Sequence, residues 1–279
     1  MKPQAVDTSR AFDQIAEDYD ITYGPEGNAV MTWMRAENLG FLRQTFPPGS
    51  RLLEIGCGTG EEAVTLAREG RKIIATDISP RMARVTREKA RRAGVASSVH
   101  ALALPASGVG ALEPTQPLDG GYASFGALNC EPRLDAVGRA LTHLVRPGGC
   151  FVTSVMARTA LFEMLWYLVH GRPRRAMRRV SGRWILAPVA GEGGREVTVP
   201  TRYLSARQVV RAFGAAWALE EIWALPLLFP PPYADALFRR HRSLFDRLEG
   251  WERRLRARWP WRHFGDHLVV VFRRRDRAL

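Results

Sequence analysis

The sequence predicts an α/β protein built on a parallel, doubly wound sheet. Between residues 51 and 156, short apolar runs that indicate buried strands alternate with stretches of helical periodicity. A glycine cluster, Gly56-Cys57-Gly58-Thr59-Gly60, lies at the first junction of strand and helix, and Asp77 ends the second strand. Strands joined by crossover helices pair in parallel and place ligand sites beyond their carboxyl ends.

The composition is typical of a protein with a packed core. Of the 279 residues, 46% are hydrophobic and 25% are charged. The three cysteines are far apart and show neither a disulfide framework nor metal-ligand spacing. The amino-terminal segment lacks the apolar centre of a signal peptide, and no apolar run approaches the roughly 20 residues of a membrane span. We therefore expect a cytoplasmic protein without a metal site.

The first half of the chain divides into two predicted segments. Residues 1–50 form a helical cap that ends at Pro47-Pro48-Gly49. Residues 51–156 form the core, in which apolar patterning and turn residues set the elements. The predicted strands are 51–56, 71–77, 97–104, one beginning at 118, and 150–156; the predicted helices are 61–70, 80–92 and 132–145, with a turn at 146–149.

Residues 157–279 form a third segment with a different character. An apolar, aromatic run leads into a basic stretch ending near Trp184, followed by loop and short-strand material (191–204) and a helix capped by Ser205. A strand, one amphipathic helix (235–259) and a closing strand complete the prediction. The insertions after the fifth and sixth strands are thus expected to carry substrate contacts.

The net charge of +13 lies entirely in this third segment. Residues 1–150 contain 17 basic and 17 acidic residues, whereas residues 151–279 contain 24 and 11. Only three of the basic residues are lysines, so an arginine-biased coding composition explains the excess. The alternative is a basic face for an acidic partner, a membrane surface or nucleic acid.

The glycine cluster constrains the ligand. Dinucleotide-binding turns carry Gly or Ala where this chain has Glu61, and their pyrophosphate lies on the helix amino terminus. Here the helix begins with Glu61-Glu62, whose carboxylates would repel a diphosphate, and no Lys-Ser/Thr pair follows as in a Walker loop. A nucleoside-like ligand without phosphate, and even a cationic one, is predicted.

Four stretches resemble one family. Glu54-Ile55-Gly56-Cys57-Gly58-Thr59-Gly60 is similar to motif I of the class I S-adenosylmethionine (SAM)-dependent methyltransferases, and Asp77 to the acid that ends their second strand. LVRPGGCFVTS (144–154) resembles the turn before their fifth strand, and FDQIAEDYD (12–20) the opening of small-molecule members. The resemblance implies a Rossmann-like, seven-stranded, mostly parallel sheet with helical insertions after strands 5 and 6, and SAM as cofactor.

The resemblance also implies a cofactor site. Glu54 and the glycines would line the methionine moiety and ribose, Asp77 would accept ribose hydroxyls, and Ile78 would pack on adenine. Many members also carry an acid after the third strand that binds the adenine amino group, but none lies between His100 and Pro105. The full predicted set is Tyr19, Glu54, Gly56, Cys57, Gly58, Gly60, Asp77, Ile78, Met82 and Phe125.

Predictions for the acceptor side rest on position in the sequence. The tetrapeptide Asn129-Cys130-Glu131-Pro132 differs from the Asp/Asn/Ser-Pro-Pro-aromatic motif of DNA amino-methyltransferases, which argues against DNA as acceptor. His170 is the first candidate for a catalytic base. The predicted acceptor contacts are Tyr23, Asn129, Trp166, Tyr233 and His263.

Three functional hypotheses follow. The first is a methyltransferase acting at O, N or C of a small, largely apolar organic acceptor. The second is an RNA or protein methyltransferase that uses the basic half, although its arginines are not interleaved with a stacking platform as RNA binding favours. The third is a non-catalytic SAM-binding partner protein. The apolar segment 161–170 beside five arginines predicts either a lid helix or peripheral contact with a membrane.

Overall fold

Nine strands form the sheets of the computed structural model, which describes residues 5–24, 26–190 and 196–276. Seven of them make one sheet, and the sixth and seventh make a separate hairpin. In chain order the strands are β1 (Arg51–Ile55), β2 (Lys72–Asp77), β3 (Val99–Ala103), β4 (Leu118–Ala123), β5 (Val145–Met156), β6 (Trp184–Ala190), β7 (Glu196–Arg202), β8 (Trp217–Leu225) and β9 (His267–Arg274).

The large sheet has the order β3-β2-β1-β4-β5-β9-β8. Strands β1 to β5 pair in parallel, and β9 runs antiparallel between β5 and β8. The chain reverses its direction of winding at β1, which has β2 on one side and β4 on the other. This confirms the predicted doubly wound, seven-stranded, mostly parallel sheet, whose switch point is the expected place for a ligand.

The antiparallel strand β9 brings a distant part of the chain to the same edge. Its first residue, His267, pairs with Met156 at the carboxyl end of β5. The start of β9 therefore lies beside the carboxyl ends of the parallel strands.

Helices pack on both faces of this sheet, and their ends follow local sequence. Ser79 caps α5 by accepting a hydrogen bond from the Met82 N–H, with Pro80 in the first turn, and Ser205 forms a capping box with Gln208. The helices are α1 (Ala5–Ile15), α2 (Tyr19–Tyr23), α3 (Ala29–Thr45), α4 (Glu61–Arg68), α5 (Pro80–Arg92), α6 (Leu134–Leu144), α7 (Leu161–Val169), α8 (Pro173–Ala176), α9 (Ala206–Phe213), α10 (Asp235–Arg240) and α11 (Arg242–Leu255).

Three predicted elements differ in the structure. The turn at 146–149 is part of β5, because the pairing with β4 shifts between Leu118 and Gly120 and the extra residues bulge out. The predicted helix 235–259 is broken at His241, which separates α10 from α11. The third difference is strand β6: no element was predicted for residues 185–190, which form it together with Trp184, while residues 191–195 of the predicted loop lie outside the described residues.

None of the helices in the described ranges is long and apolar enough to cross a membrane.

Candidate functional site

A cavity of about 310 Å³ opens at the carboxyl edge of the sheet, at its switch point. Its floor is the turn after β1 together with the ends of β2 and β4. Helices α1 to α3 close one side, and the β6–β7 hairpin and the start of β9 close the other. The residues that line it are Thr8, Phe12, Tyr19, Tyr23, Met31, Arg35, 55–59, Glu61, Glu62, Asp77, Ile78, Met82, Leu104, Ala106, 124–127, Cys130, Glu131, Met156, 187–189, Val199, Thr201, Pro232 and His267.

The turn after β1 places the backbone of glycine residues against this cavity. Gly56 has φ +73°, and a Cβ there would lie 2.3 Å from the Cβ of Ala127. Gly58 has φ +53°, and a Cβ there would meet nothing within 4 Å. Glycine adopts such positive φ values without the cost that a side chain imposes. The turn therefore packs tightly at Gly56 and leaves open space for a ligand at Gly58.

Asp77 anchors the turn from the end of β2. One carboxylate oxygen, Oδ2, accepts the N–H of Gly58 at 2.9 Å, and the other, Oδ1, accepts the N–H of Ser79 at 2.9 Å. Burial raises the pKa of Asp77 to about 6, although both backbone hydrogen bonds act to lower it. Each oxygen keeps a lone pair, so the carboxylate can still accept hydroxyl donors from a ligand.

The wall of the cavity is acidic. Among the described residues that line it, four carry carboxylates and Arg35 carries the guanidinium. Arg35 donates to Glu62 at 2.7 Å, and Lys89 pairs with Glu61 at 3.0 Å from outside the cavity. The two glutamates at the start of α4 are thus held by cations, which weakens the repulsion of phosphate that the sequence alone predicts. The four carboxylate residues are Glu61, Glu62, Asp77 and Glu131.

The far end of the cavity is apolar and can hold a flat ring. Ile78, Leu104 and Ala106 line it from the sheet side, and Phe12 and Val199 line it from α1 and the hairpin. The acid expected after β3 is missing, but Glu131, which follows β4, lies in this wall. Its Oε2 accepts the N–H of Ser107 at 3.0 Å. No local pattern predicts an acid here, because Glu131 is far from β3 along the chain.

Most of the predicted cofactor residues line this one cavity. Of the predicted set, Glu54 and Gly60 lie behind its wall. Glu54 is buried, its Oε2 has no hydrogen-bond partner, and burial raises its pKa well above the ordinary value. Gly60 is the N-cap of α4 and packs against Thr86. The predicted cofactor residues that line the cavity are Tyr19, Gly56, Cys57, Gly58, Asp77, Ile78, Met82 and Phe125; Tyr23, predicted as an acceptor contact, lines it as well.

Two of the predicted acceptor-side residues lie on the surface of the first insertion, outside the cavity lining. His170 is exposed, and its ring lies 4.2 Å from that of Trp166, which is 41% exposed. The Nδ1 of His170 lies 2.7 Å from the backbone oxygen of Trp166. His170 is therefore not placed to act as a base in this cavity, and Trp166 does not line it.

The other three also have partners away from the cavity. Asn129 is buried and bridges two strands, accepting the N–H of Met156 at 2.8 Å and donating to the backbone oxygen of Arg202 at 2.7 Å. Tyr233 donates its hydroxyl to Glu163 at 2.6 Å. His263 does not line the cavity, and its pKa is lowered by burial and by the adjacent Arg262.

His267 and Arg35 are lining residues that the sequence analysis missed. Arg35 lies on the buried face of α3, where its cation is paired with Glu62. His267 reaches the cavity because β9 is antiparallel, so that its first residue lies at the carboxyl edge. A prediction of that strand direction would have identified His267.

Comparison with known proteins supports one family. A family model described as "Methyltransferase domain" matches residues 52–149. A ubiquinone biosynthesis O-methyltransferase from Xanthomonas axonopodis pv. citri is 31% identical over 124 residues, which is 40% of this chain and 46% of that protein. These likenesses support a class I SAM-dependent methyltransferase. It spans about half the length of the curated relatives that it matches.

Solved structures share the architecture of this chain. The CcbJ methyltransferase from Streptomyces caelestis superposes with a TM-score of 0.63 and 20% identity, covering 96% of this chain and 99% of that one. The 4+2 cyclase SpnF superposes with a TM-score of 0.64 and 16% identity, covering 99% and 97%. At these identities the likeness shows the fold.

Proposed function

We propose that this chain is an enzyme that transfers a methyl group from SAM to a small organic acceptor. The observation that carries the proposal is the buried Asp77 carboxylate, which holds the Gly58 turn at the floor of an acidic cavity. A carboxylate at a strand end suits a ribose diol. An acidic wall suits a ligand that carries a sulfonium and an ammonium group and has no phosphate.

The residues present fit this cofactor. Gly58 leaves room beside its backbone, Asp77 would accept the ribose hydroxyls, and Ile78 with Leu104 would hold the adenine ring. Glu54 lies buried behind the methionine end, with one oxygen that has no hydrogen-bond partner. When bound, SAM supplies an electrophilic methyl group on a positively charged sulfur.

The chain's own part in the reaction would be to position the acceptor and to exclude water. Methyl transfer is an in-line displacement, for which correct alignment can supply much of the acceleration. Helix α1 and the β6–β7 hairpin cover the cavity, with Phe12 and Val199 on its lining. Phe125, Met31 and Met156 make the side near β4 and β5 apolar, which favours an apolar acceptor.

The relatives favour a small molecule over RNA or protein. The curated relatives are named as O-methyltransferases of ubiquinone biosynthesis, which supports a hydroxyl on a small ring as the acceptor. The third hypothesis, a non-catalytic SAM-binding protein, remains an outcome of the test, since a cyclase shares the fold.

Calorimetry with SAM and its demethylated product tests the proposal. We expect both to bind wild-type protein and Asp77→Ala to weaken them at least 30-fold, because two ribose hydroxyls lose a charged acceptor. Asp119→Ala, at a carboxylate outside the cavity lining, is the matched control. Unchanged affinity in Asp77→Ala would refute the site. Binding without transfer of radiolabelled methyl to a metabolite extract would favour the non-catalytic alternative.

We also propose a cytoplasmic location with peripheral contact to an anionic membrane. Helix α7 exposes Leu165, Trp166, Leu168 and Val169, the last 84% exposed, although all four are apolar. The exposed arginines Arg172, Arg174 and Arg175 follow directly. Apolar side chains beside cations suit the interface of an anionic bilayer. The three cysteines are free in the structure, as a reducing compartment would keep them.

Sedimentation with vesicles tests this contact. We expect the protein to pellet with phosphatidylglycerol vesicles at low salt, to be released by high salt, and to bind weakly to phosphatidylcholine alone. Replacing Arg172, Arg174 and Arg175 by Gln should abolish pelleting. Equal replacement of Arg139, Arg207 and Arg211 on other helices should not, and if it does, general charge and not this surface is responsible.

A further inference from the structure

His267 is a buried imidazole on the wall of the cavity, contributed by the antiparallel strand of the sheet. It is 5% exposed and lies edge-on to Phe125, with 6.2 Å between the ring centroids. Phe125 follows β4, and Met156, the register partner of His267, ends β5. His267 thus lies at the apolar side of the cavity, where the acceptor is proposed to bind, and away from Asp77.

A buried network of charged side chains lies behind this ring. The Nδ1 of His267 lies 2.9 Å from the Oδ2 of Asp266, and the other oxygen of Asp266 lies 2.8 Å from the Nη2 of Arg179. Arg179 in turn binds Glu163 at 2.5 Å. Glu163 also pairs with Arg178 at 3.1 Å and accepts a hydrogen bond from the hydroxyl of Tyr233. The charges of the two carboxylates and the two guanidiniums cancel, and the imidazole of His267 lies at the end of this network.

This network of charged side chains keeps Asp266 ionised. Burial alone would raise the pKa of Asp266, but Arg179 and His267 outweigh burial and hold that pKa well below its ordinary value. The Nδ1 of His267 is within contact distance of Asp266 but makes no well-directed hydrogen bond to it. Such contacts often tighten only when substrate is bound. Across the described chain, Nε2 of His267 makes no hydrogen bond to protein.

We propose that His267 is the general base of the transfer, that Asp266 is its positioning residue, and that the acceptor is a phenolic hydroxyl. The inference rests on the proposed methyltransferase function. The acceptor oxygen forms its bond to the methyl carbon while the bond from sulfur to that carbon breaks. The electron pair of the broken bond stays on sulfur, which becomes neutral. The hydroxyl proton moves to Nε2, and the imidazolium then releases it to water.

The acceptor class follows from the chemistry of the base. A carbon acceptor without an acidic proton needs no base at this place, and a neutral amine can react before it loses its proton. A phenol is a poor nucleophile until its proton is removed, and a neutral imidazole can accept that proton near pH 7. The ring of Phe125 and the thioether of Met156 beside His267 suit an aromatic acceptor.

Other charged groups near His267 bear on its protonation. Asp266 faces it directly and stabilises the imidazolium that forms. From the opposite wall, Arg35 lies 5.9 Å from the ring centroid of Phe125, with Glu62 as its partner. Asp77, with a pKa of about 6, lies at the ribose end and acts on SAM binding, so saturating SAM separates its effect from that of the base.

The test uses full-length protein, saturating radiolabelled SAM, and a panel of catechol, 4-methylcatechol and 4-nitrocatechol. We expect wild-type protein to transfer methyl to the catechols. His267→Gln and His267→Asn should lower kcat about 100-fold or more and leave SAM affinity within about twofold. Asp266→Asn should lower kcat about tenfold. His241→Gln, at an exposed histidine between α10 and α11, is the matched control.

The outcomes separate the proposals. If the wild-type protein does not bind SAM, the proposed function is refuted. If it binds SAM and methylates extract components but none of the catechols, the proposal of a phenolic acceptor is refuted. If transfer to the catechols is unchanged in His267→Gln or His267→Asn, the role of His267 as general base is refuted. In 4-nitrocatechol, whose hydroxyl is already ionised near neutral pH, the His267 variants should recover most of their activity, which a merely structural role would not produce.

Discussion

Asp77 shows how one side chain can serve both the fold and the ligand. Its two oxygens accept backbone N–H groups of Gly58 and Ser79, which fix the turn and the start of α5. Burial nevertheless raises its pKa to about 6, because the cavity withholds water from the charge. The group is therefore poised to change its charge just below neutral pH.

This shift predicts a pH dependence of SAM binding. Ionised Asp77 attracts the cationic cofactor and accepts its hydroxyls, and protonation as the pH falls through about 6 removes both effects. We expect the Kd for SAM, measured by calorimetry, to rise about tenfold between pH 7 and pH 5. In Asp77→Asn the Kd should be weaker and nearly independent of pH over this range. A wild-type Kd that is flat with pH would contradict an essential charge on Asp77.

Residues differed in how far their roles could be predicted. Asp77 and the glycines were predictable because their position at a junction of strand and helix determines what they can contact. Asn129 follows β4 as predicted, but its amide bridges Met156 and Arg202 inside the protein. His267 depends on the pairing of two strands more than 100 residues apart along the chain, which no local pattern reveals.

At the scale of the element, two of the three glycines in the turn between β1 and α4, Gly56 and Gly58, have different constraints. Both have positive φ, but only at Gly56 is the space for a Cβ already occupied, by Ala127. The two positions therefore separate the stability of the turn from its ability to bind a ligand.

Substitution by alanine tests this difference. Gly58→Ala should cost about 1 kcal/mol of unfolding free energy, from the left-handed backbone alone, while its methyl group intrudes on the ligand and weakens SAM at least tenfold. Gly56→Ala should cost roughly 3 kcal/mol, because overpacking adds to the backbone strain. Urea denaturation and calorimetry measure both quantities. Gly94→Ala, also at positive φ with nothing within 4 Å and outside the cavity, controls for the backbone cost. Equal losses of stability at Gly56 and Gly58 would contradict the steric argument.

Elements with strong local signals were predicted well. Helices α5 and α9 begin where Ser79 and Ser205 predict, because a cap needs only a hydroxyl and three following residues. Strand β6 was missed because it carries Pro188 and follows a basic run, and its partner β7 supplies the pairing that makes it a strand. The break between α10 and α11 lets Phe238 and Phe245 stack 5.2 Å apart, a tertiary contact that helical periodicity does not encode.

At the scale of the whole molecule, the cavity joins parts of the chain that are distant in sequence. Its lining draws on α1, the turn after β1, the β6–β7 hairpin and the start of β9. A ligand in this cavity therefore contacts the first and the last elements of the described chain at once.

Ligand binding should consequently stabilise the entire protein. At a SAM concentration of 100 Kd, linkage gives about 2.7 kcal/mol, and we expect Tm to rise by about 5 °C in a thermal scan. The rise should increase with the logarithm of concentration and be lost in Asp77→Ala, whose Tm should not respond to SAM. A separate, unshifted transition in the presence of SAM would show that part of the chain unfolds independently of the cavity.

The position of β9 also determines the order in which the sheet can be completed. Because β9 lies between β5 and β8 and follows both in the sequence, neither has its neighbour on that side until residues 267–274 are synthesised. Strand β8 has no other partner in the sheet. A growing chain must therefore keep two apolar strand edges unpaired until residues 267–274 are made, a state prone to wrong pairing and aggregation. The residues that complete the sheet also complete the acceptor side of the cavity. A chain that stops before them therefore lacks a complete sheet and a complete cavity.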